Sequence, residues 1–356
     1  MFEGLSLPVL LSIFAAAAAA VWVAGIHLSN ATDVLSSRFG LGEALGGLIL
    51  LALVTNLPEI AITASAALNQ NLGIAIGNIL GGIAIQTVVL TVLDIFGLGK
   101  SASLTYRAAS LVLVLEGALV VAILATVVIG SQLPASLIFD RVTPAGLLIL
   151  IFWLVGLWLI GKARTVLPWH DQGTAPDAQQ QDRGHAKKKK DQAAQNKNVS
   201  TARTVIVFLA GAAVTLVAGI VLASSGDGIA SFLGMDGVLF GATILAAATS
   251  LPEVSTGLAS VKLGDYQLAV SDIFGGNAFL PVLFLLATLL SGQAVLPQAQ
   301  SSDIYLTGLG ILLTTVYLYG LIFRPRRQVA RMGIDSFIVL ILYALGVLGL
   351  VAISRG

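Results

Sequence analysis

Glu59 and Glu253 each stand one residue after a proline inside an apolar run, in Thr55-Asn56-Leu57-Pro58-Glu59 and Thr249-Ser250-Leu251-Pro252-Glu253. A helical proline lacks an N–H and crowds the carbonyl four residues earlier, so the carbonyls of Val54 and Ala248 lose their helical partners. Every donor gathered at these breaks is a hard oxygen. Such a set suits calcium, sodium or magnesium and not zinc or copper. Asn78 and Asp272 add to it, each three residues before a glycine pair, Gly81-Gly82 and Gly275-Gly276. Glycines let helices approach closely, which should bring Asn78 and Asp272 against the proline breaks and close one oxygen-lined cavity. Glu59, Glu253 and Asp272 would give it a formal charge of minus three. Three monovalent ions balance that charge nearly as well as one divalent ion with one proton or monovalent ion, an electrostatic basis for exchange.

The elements that position these groups follow from composition. Of 356 residues, 57% are hydrophobic and 10% are charged, against about 25% charged in an average soluble domain; the mean hydropathy is +0.95. The chain is therefore expected to be an all-α polytopic membrane protein. A carboxylate at the centre of a membrane helix costs about 2.5 to 3.5 kcal/mol on insertion scales, so Glu59, Glu253 and Asp272 would be costly without a purpose. The net charge of +1 gives no basic face for nucleic acid. With no cysteine, thiolate catalysis and cysteine metal sites are excluded, and His27, His170 and His185 build no metal cluster.

Ten apolar runs are long enough to span a bilayer: 8–28, 42–68, 72–98, 108–130, 143–163, 203–224, 236–261, 267–291, 303–323 and 334–353. The first has no basic region before it and reads as a retained helix. With both termini extracytoplasmic, all of the 19 basic residues except Arg141 and Arg355 fall on the cytoplasmic side, as the positive-inside rule requires. Residues 164–202, Gln-rich and carrying Lys187 to Lys190, read as a disordered cytoplasmic linker. It separates residues 1–163 from 203–356.

Those two parts are copies. Moving 194 residues along the chain carries Val23-Ala24-Gly25-Ile26 onto Val217-Ala218-Gly219-Ile220, Thr55 to Glu59 onto Thr249 to Glu253, and Gly81-Gly82 onto Gly275-Gly276. About a third of positions 22–82 are identical without a gap. Five helices per copy is odd, so the second enters the membrane from the opposite side. The expectation is two inverted five-helix repeats with a site at the midplane between them, as in many secondary transporters.

At these motifs the sequence resembles the cation/calcium exchanger superfamily, and most closely its sodium/calcium exchanger branch. The two motif pairs are Thr55 to Glu59 with Ile76-Gly77-Asn78-Ile79-Leu80-Gly81-Gly82, and Thr249 to Glu253 with Ser271-Asp272-Ile273-Phe274-Gly275-Gly276-Asn277. The resemblance implies an antiporter of calcium and sodium in the plasma (inner) membrane, working by alternating access as a monomer, with no cofactor. It implies Glu59 and Glu253 as principal calcium ligands, aided by Thr55, Thr249 and the carbonyls near Ala52 and Ala246. Asn56, Ser250, Asn78 and Asp272 would serve sodium or hold the protonatable group, and helices one and six would slide across a fixed core. Departures exist: the turns before Asn78 and Asp272 lack the hydroxyl common in relatives, Gly81-Gly82-Ile83 and Gly275-Gly276-Asn277 replace the usual Gly-Ser-Asn, and Asn56 stands where serine is common. Fewer sodium ligands remain, so proton/calcium exchange is the alternative coupling, although Pro58 and Pro252 argue for the sodium type. The linker is too short and simple to hold a folded calcium sensor.

Glu116, in the fourth run with no acidic counterpart, reads as a protonated or interface-facing structural group, with a proton pathway as the other reading. Asp94, Glu43 and Asp33 read as interfacial, and Trp153 and Trp158 as lipid-facing or interfacial packing. A passive cation channel is the competing function from another class, since carboxylates and carbonyls also line filters. An intramembrane enzyme lacks a nucleophile and an aspartyl pair, and a pump lacks a nucleotide-binding motif.

Overall fold

The computed structural model describes residues 2, 4–38, 52–98, 102–108, 110–163, 200–235 and 237–355. Glu43, the Asp33 side chain and the linker through residue 199 lie outside that description. The chain is helical: α1 (Leu7–Arg38), α2 (Leu57–Leu68), α3 (Leu72–Gly97), α4 (Leu104–Ala108), α5 (Leu111–Ser131), α6 (Pro144–Ala163) and α7 (Thr201–Leu233) lead to a short turn, Gly237–Phe240. There follow α8 (Gly241–Thr249), α9 (Leu251–Leu263), α10 (Tyr266–Ser291), α11 (Ser301–Phe323) and α12 (Ile334–Arg355). Between α11 and α12 lies a small hairpin, Gln328–Val329 paired with Met332–Gly333.

Among the described residues, eight helices are long and apolar enough to cross a membrane, and the bent pair α8 and α9 forms a ninth candidate. Helix α2 is the shorter described end of the expected run 42–68. The break between α8 and α9 bends the span by 50°. It falls at Ser250, one residue before Leu251-Pro252, as the missing proline N–H requires. The first five residues of α8 form a π-helical turn, a distortion that local strain at functional sites often produces.

Helices α1 and α7 run well past the expected ends of their spans at 28 and 224. At 32 and 33 residues they are about 48 to 50 Å long at 1.5 Å per residue. Hydropathy falls in their polar last turns, but Thr32 and Leu35 of α1 and Ser225 and Ile229 of α7 are buried, and packing there keeps the helices going. The two pack along each other, with Gly211 of α7 seated on Leu28 of α1.

Burial sorts the helices into a core and a periphery. In α3 and α10, 78% and 67% of the span is buried, against 28% in each of α1 and α7. Two separate apolar clusters result. The larger joins α3, α5, α10 and α11 around Leu80, Leu90, Phe274, Phe284 and Tyr317. The smaller joins α1 and α7 around Leu10, Val21 and Leu222, with Ile62 of α2 and Leu245 and Ala248 of α8. The proline-broken helices lie between the two.

Asp94 stands at the end of α3 but is 0% exposed, so it is enclosed by protein and not solvent-facing. Trp158 is 60% exposed, with Lys162 Nζ over its ring at 4.8 Å, whereas Trp153 packs on Phe279 at 5.6 Å between ring centres.

The division between core and lipid-facing surface is testable. Truncating the buried Phe284 to alanine should destabilise the protein by about 3 to 5 kcal/mol, and Phe323→Ala, at a side chain 76% exposed, by very little. Thermal unfolding of both variants in detergent measures the difference.

Candidate functional site

The two breaks have the same local structure. Asn56 (φ −86°, ψ 14°) and Ser250 (φ −81°, ψ 6°) each interrupt the helix just before the Leu-Pro-Glu turn. At the first, the carbonyl of Ala52 accepts from Asn56 N (3.3 Å), Asn56 Nδ2 (2.7 Å) and Thr55 Oγ1 (3.3 Å). At the second, the carbonyl of Ala246 accepts from Ser250 N (3.0 Å), Ser250 Oγ (2.8 Å) and Thr249 Oγ1 (3.1 Å). Each hydroxyl spends its hydrogen on a carbonyl. The carbonyls of Ala52 and Ala246, implied as ligands, are occupied by these donors in this conformation.

Glu59 and Glu253 are 0% exposed, and neither faces lipid. Thr249 and Gln86 stand beside the Glu59 carboxylate, yet no formed hydrogen bond reaches either of its oxygens. Glu253 lies within electrostatic reach of both Glu59 and Asp272; its Oε1 accepts from Gln86 Nε2 at 3.2 Å, while its Oε2 accepts nothing. Gln86 donates its other amide hydrogen to Asn56 Oδ1 at 3.1 Å. One side chain of α3 thus ties the first break to the glutamate of the second.

Asn78 donates to the Glu59 carbonyl (3.3 Å) and to Thr63 Oγ1 (3.4 Å). Asp272 accepts from Thr256 Oγ1 at 2.7 Å, and Thr256 also lies 3.2 Å from the Glu253 carbonyl. Among the described residues no group of three acidic or histidine side chains is arranged to hold a metal ion; Thr256, one turn after Glu253, engages the Asp272 carboxylate. Glu116 is 2% exposed and accepts from Ser271 Oγ at 2.6 Å, so it points inward and does not face the interface.

The buried side-chain atoms left without a partner on Glu59, Glu253, Gln86, Asn78 and Asn277 are all oxygens: both of Glu59, Oε2 of Glu253, Oε1 of Gln86, and Oδ1 of Asn78 and of Asn277. An unsatisfied buried acceptor costs about 1 to 3 kcal/mol, more when charged. Donors here are exhausted while acceptors remain, which is the electrostatic demand of a cation with an oxygen shell.

The glycines set the packing crosswise. A Cβ on Gly25 of α1 would lie 2.9 Å from Pro252, and one on Gly219 of α7 would lie 3.1 Å from Pro58. Each Val-Ala-Gly-Ile segment therefore bears on the proline of the other copy. Likewise Gly276 of α10 leaves room for Asn56, whose Nδ2 would sit 2.9 Å from an added Cβ.

Gln86, Thr63 and Thr256 were not singled out from the sequence. Thr63 and Thr256 do not align in the repeat, and Gln86 aligns with Leu280, so duplication gave them no weight. The signal that was there is helical spacing: Asn78, Gly82 and Gln86 recur every four residues, one face of α3. Gln86→Leu should weaken binding of calcium or sodium about ten- to hundredfold, the equivalent of the roughly 1.5 to 3 kcal/mol carried by a hydrogen bond to a charged group; equilibrium binding to the purified protein measures it.

The family model described as "Sodium/calcium exchanger protein" matches residues 9–162 and 203–352. The inner membrane protein YrbG of Escherichia coli (strain K12) is 25% identical over 279 residues, 78% of each chain. Among solved structures, the fold is similar to that of the sodium-calcium exchanger NCX_Mj, with a TM-score of 0.59 and 16% identity over 96% of this chain and 99% of that one. It is equally similar to the H+/Ca2+ exchanger CAX, with a TM-score of 0.58 and 16% identity over 97% of this chain and 88% of that one. At such identity the structural likeness speaks to the fold alone. The family model takes in both copies and stops at each side of the linker, and on that match the chain belongs to the sodium/calcium exchanger protein family.

Proposed function

We propose that this protein is a secondary antiporter that exchanges calcium for sodium across the plasma (inner) membrane by alternating access. The observation that carries the reading is the excess of unpartnered buried oxygens on Glu59, Glu253, Gln86 and Asn78 between two matched helix breaks. Glu59 and Glu253 act as the principal calcium ligands, with Thr55, Thr249 and, once released from their donors, the carbonyls of Ala52 and Ala246. Asn56, Ser250, Asn78 and Asp272 form the neighbouring monovalent sites. Family membership supports cation/calcium antiport as the activity class.

Ten helices in two inverted repeats fit the contacts between loops. Gln70 donates to Ser291 O (3.2 Å) and Arg141 to Leu289 O (3.0 Å), joining segments that a ten-span topology puts outside. Ser103 donates to Pro325 O (3.0 Å), Arg324 to Tyr106 O (3.1 Å), Arg107 to Tyr266 OH (3.2 Å), and Arg38 to Thr201, joining segments that it puts inside. Both termini are then extracytoplasmic and the linker cytoplasmic. One chain carries both halves of the site, consistent with a working monomer. The seating of α1 on Pro252 and α7 on Pro58 gives the long outer pair a direct hold on both breaks. A slide of that pair would expose the site first to one side and then to the other.

Proton coupling is the second reading. It is favoured by the likeness to CAX, close in strength to that with NCX_Mj, and by the absence of a hydroxyl from the turns Ile74-Ala75-Ile76 and Leu268-Ala269-Val270 that precede Asn78 and Asp272.

In membrane vesicles, an imposed sodium gradient at fixed pH should drive calcium uptake, and Glu59→Gln or Glu253→Gln should reduce it to background in a folded protein. Uptake driven only by a pH gradient would replace sodium with protons, and calcium flux without a counter-ion would make the protein a channel. The chain has no cysteine, so single Gln298→Cys and Arg327→Cys variants, both at exposed positions, report topology directly. A membrane-impermeant maleimide should label the first from outside and the second only after permeabilisation.

A further inference from the structure

A second pair of carboxylates is buried away from the first. Asp94 stands in the last turn of α3 and Asp335 in the first turn of α12, 0% and 3% exposed. The segments meeting here, 102–108 and 324–336, form the end of the bundle that carries Arg107, Arg324, Arg326, Arg327 and Arg331. Asp94 is saturated with donors: its Oδ1 accepts from Leu104 N (2.8 Å), and its Oδ2 from Gly333 N (2.6 Å) and Ser336 Oγ (2.8 Å). Asp335 is not. Thr105 and the amides of Asp335 and Ser336 lie beside it, but neither of its oxygens accepts a formed hydrogen bond.

The two carboxylates flank Gly333. A methyl group there would collide with Asp335 Oδ1 and lie 3.2 Å from Asp94 Oδ2. Nearby arginines are turned elsewhere: Arg107 lies over the ring of Tyr266 at 5.4 Å, and Arg324 and Arg326 lie over Tyr106 at 5.7 and 5.2 Å. What does surround the pair is hydroxyl oxygen. Ser103 Oγ is 3.4 Å from Thr105 Oγ1, and Tyr317 OH donates to Ser336 Oγ at 3.2 Å. Two like charges buried this close cannot both remain ionised without a counter-charge. The network on Asp94 also holds α3, α4, the hairpin and α12 in fixed relation, so the groups around Asp335 are held in place.

We propose that Asp335 and Asp94 hold a resident divalent cation, with the Ser103, Thr105 and Ser336 hydroxyls completing an oxygen shell. Calcium fits, because the donors are all hard oxygens and two carboxylates balance a divalent charge. Gln86 and Asp94 are eight residues apart on α3, about 12 Å along its axis, so this position is separate from the exchange site. An ion here would bridge α3 of the core to α12 and clamp that end of the bundle while ions turn over in the middle.

The test uses the purified full-length protein in detergent, with Glu59→Gln and Glu253→Gln combined to silence the first site. Binding of radiolabelled calcium and thermal unfolding with and without calcium are the readouts. The double variant should still bind one calcium per chain and melt higher in its presence; adding Asp335→Asn should abolish both effects. Should Asp335→Asn fail to fold, Thr105→Val leaves both carboxylates in place and should reduce the calcium-dependent rise in Tm; an undiminished rise overturns the proposal. It is overturned as well if the double variant neither binds calcium nor gains stability from it. Asp335→Asn melting higher with calcium binding unchanged would mean that the pair merely shares a proton. Loss of Glu59-dependent binding in the wild type would strike the transport reading and leave this one standing.

Discussion

A carboxylate sealed inside a lipid-immersed protein must find a donor, a proton or a metal, and the architecture around Glu59 and Glu253 withholds the donors. The prolines at 58 and 252 remove backbone N–H groups. The neighbouring hydroxyls and the Asn56 amide turn their hydrogens onto Ala52 and Ala246. Gln86 supplies one bond to Glu253, and the Glu59 oxygens accept none. What is left over is acceptor capacity, a standing attraction for hard cations that an apolar protein of this composition would otherwise avoid.

The rest of the fold makes that deficit usable. Two apolar clusters, one around α3 and α10 and one around α1 and α7, meet across the broken helices. The glycines at 25 and 219 bring the long outer helices onto the prolines of the opposite copy, so movement of the α1–α7 pair and the shape of the breaks are mechanically linked. The linkage is the same at both ends: the contact that Gly25 makes with Pro252 recurs between Gly219 and Pro58.

Much of this was legible in the sequence because duplication marks the residues twice. Glu59 with Glu253, Thr55 with Thr249 and the Val-Ala-Gly-Ile pair stand out as repeated costs in apolar surroundings, and the structure brings the two glutamates near each other, with Asn56 joined to Glu253 through Gln86 and Asn78 against the Glu59 carbonyl. What was not legible is single-copy. Gln86, opposite Leu280 in the repeat, and Thr256, opposite Ile62, have no twin, and hydropathy treats a lone glutamine or threonine in a span as tolerable. Asp94 was misplaced, and of the readings of Glu116 the interface-facing one is removed, for a related reason: position along a helix says how deep a residue lies, whereas burial by neighbouring helices depends on contacts with Gly333 and Ser271 that are distant in sequence. Helix ends suffered similarly, since α1 and α7 continue through polar turns held by tertiary packing.

The most direct measurement is a crystal structure of the wild-type protein equilibrated with calcium, with anomalous scattering to identify the ion. The account predicts calcium between the two breaks, bound by carboxylate oxygens of both Glu59 and Glu253 at about 2.3 to 2.6 Å. Glu59 and Glu253 holding only protons or protein donors at saturating calcium, with no ion between them, would contradict it.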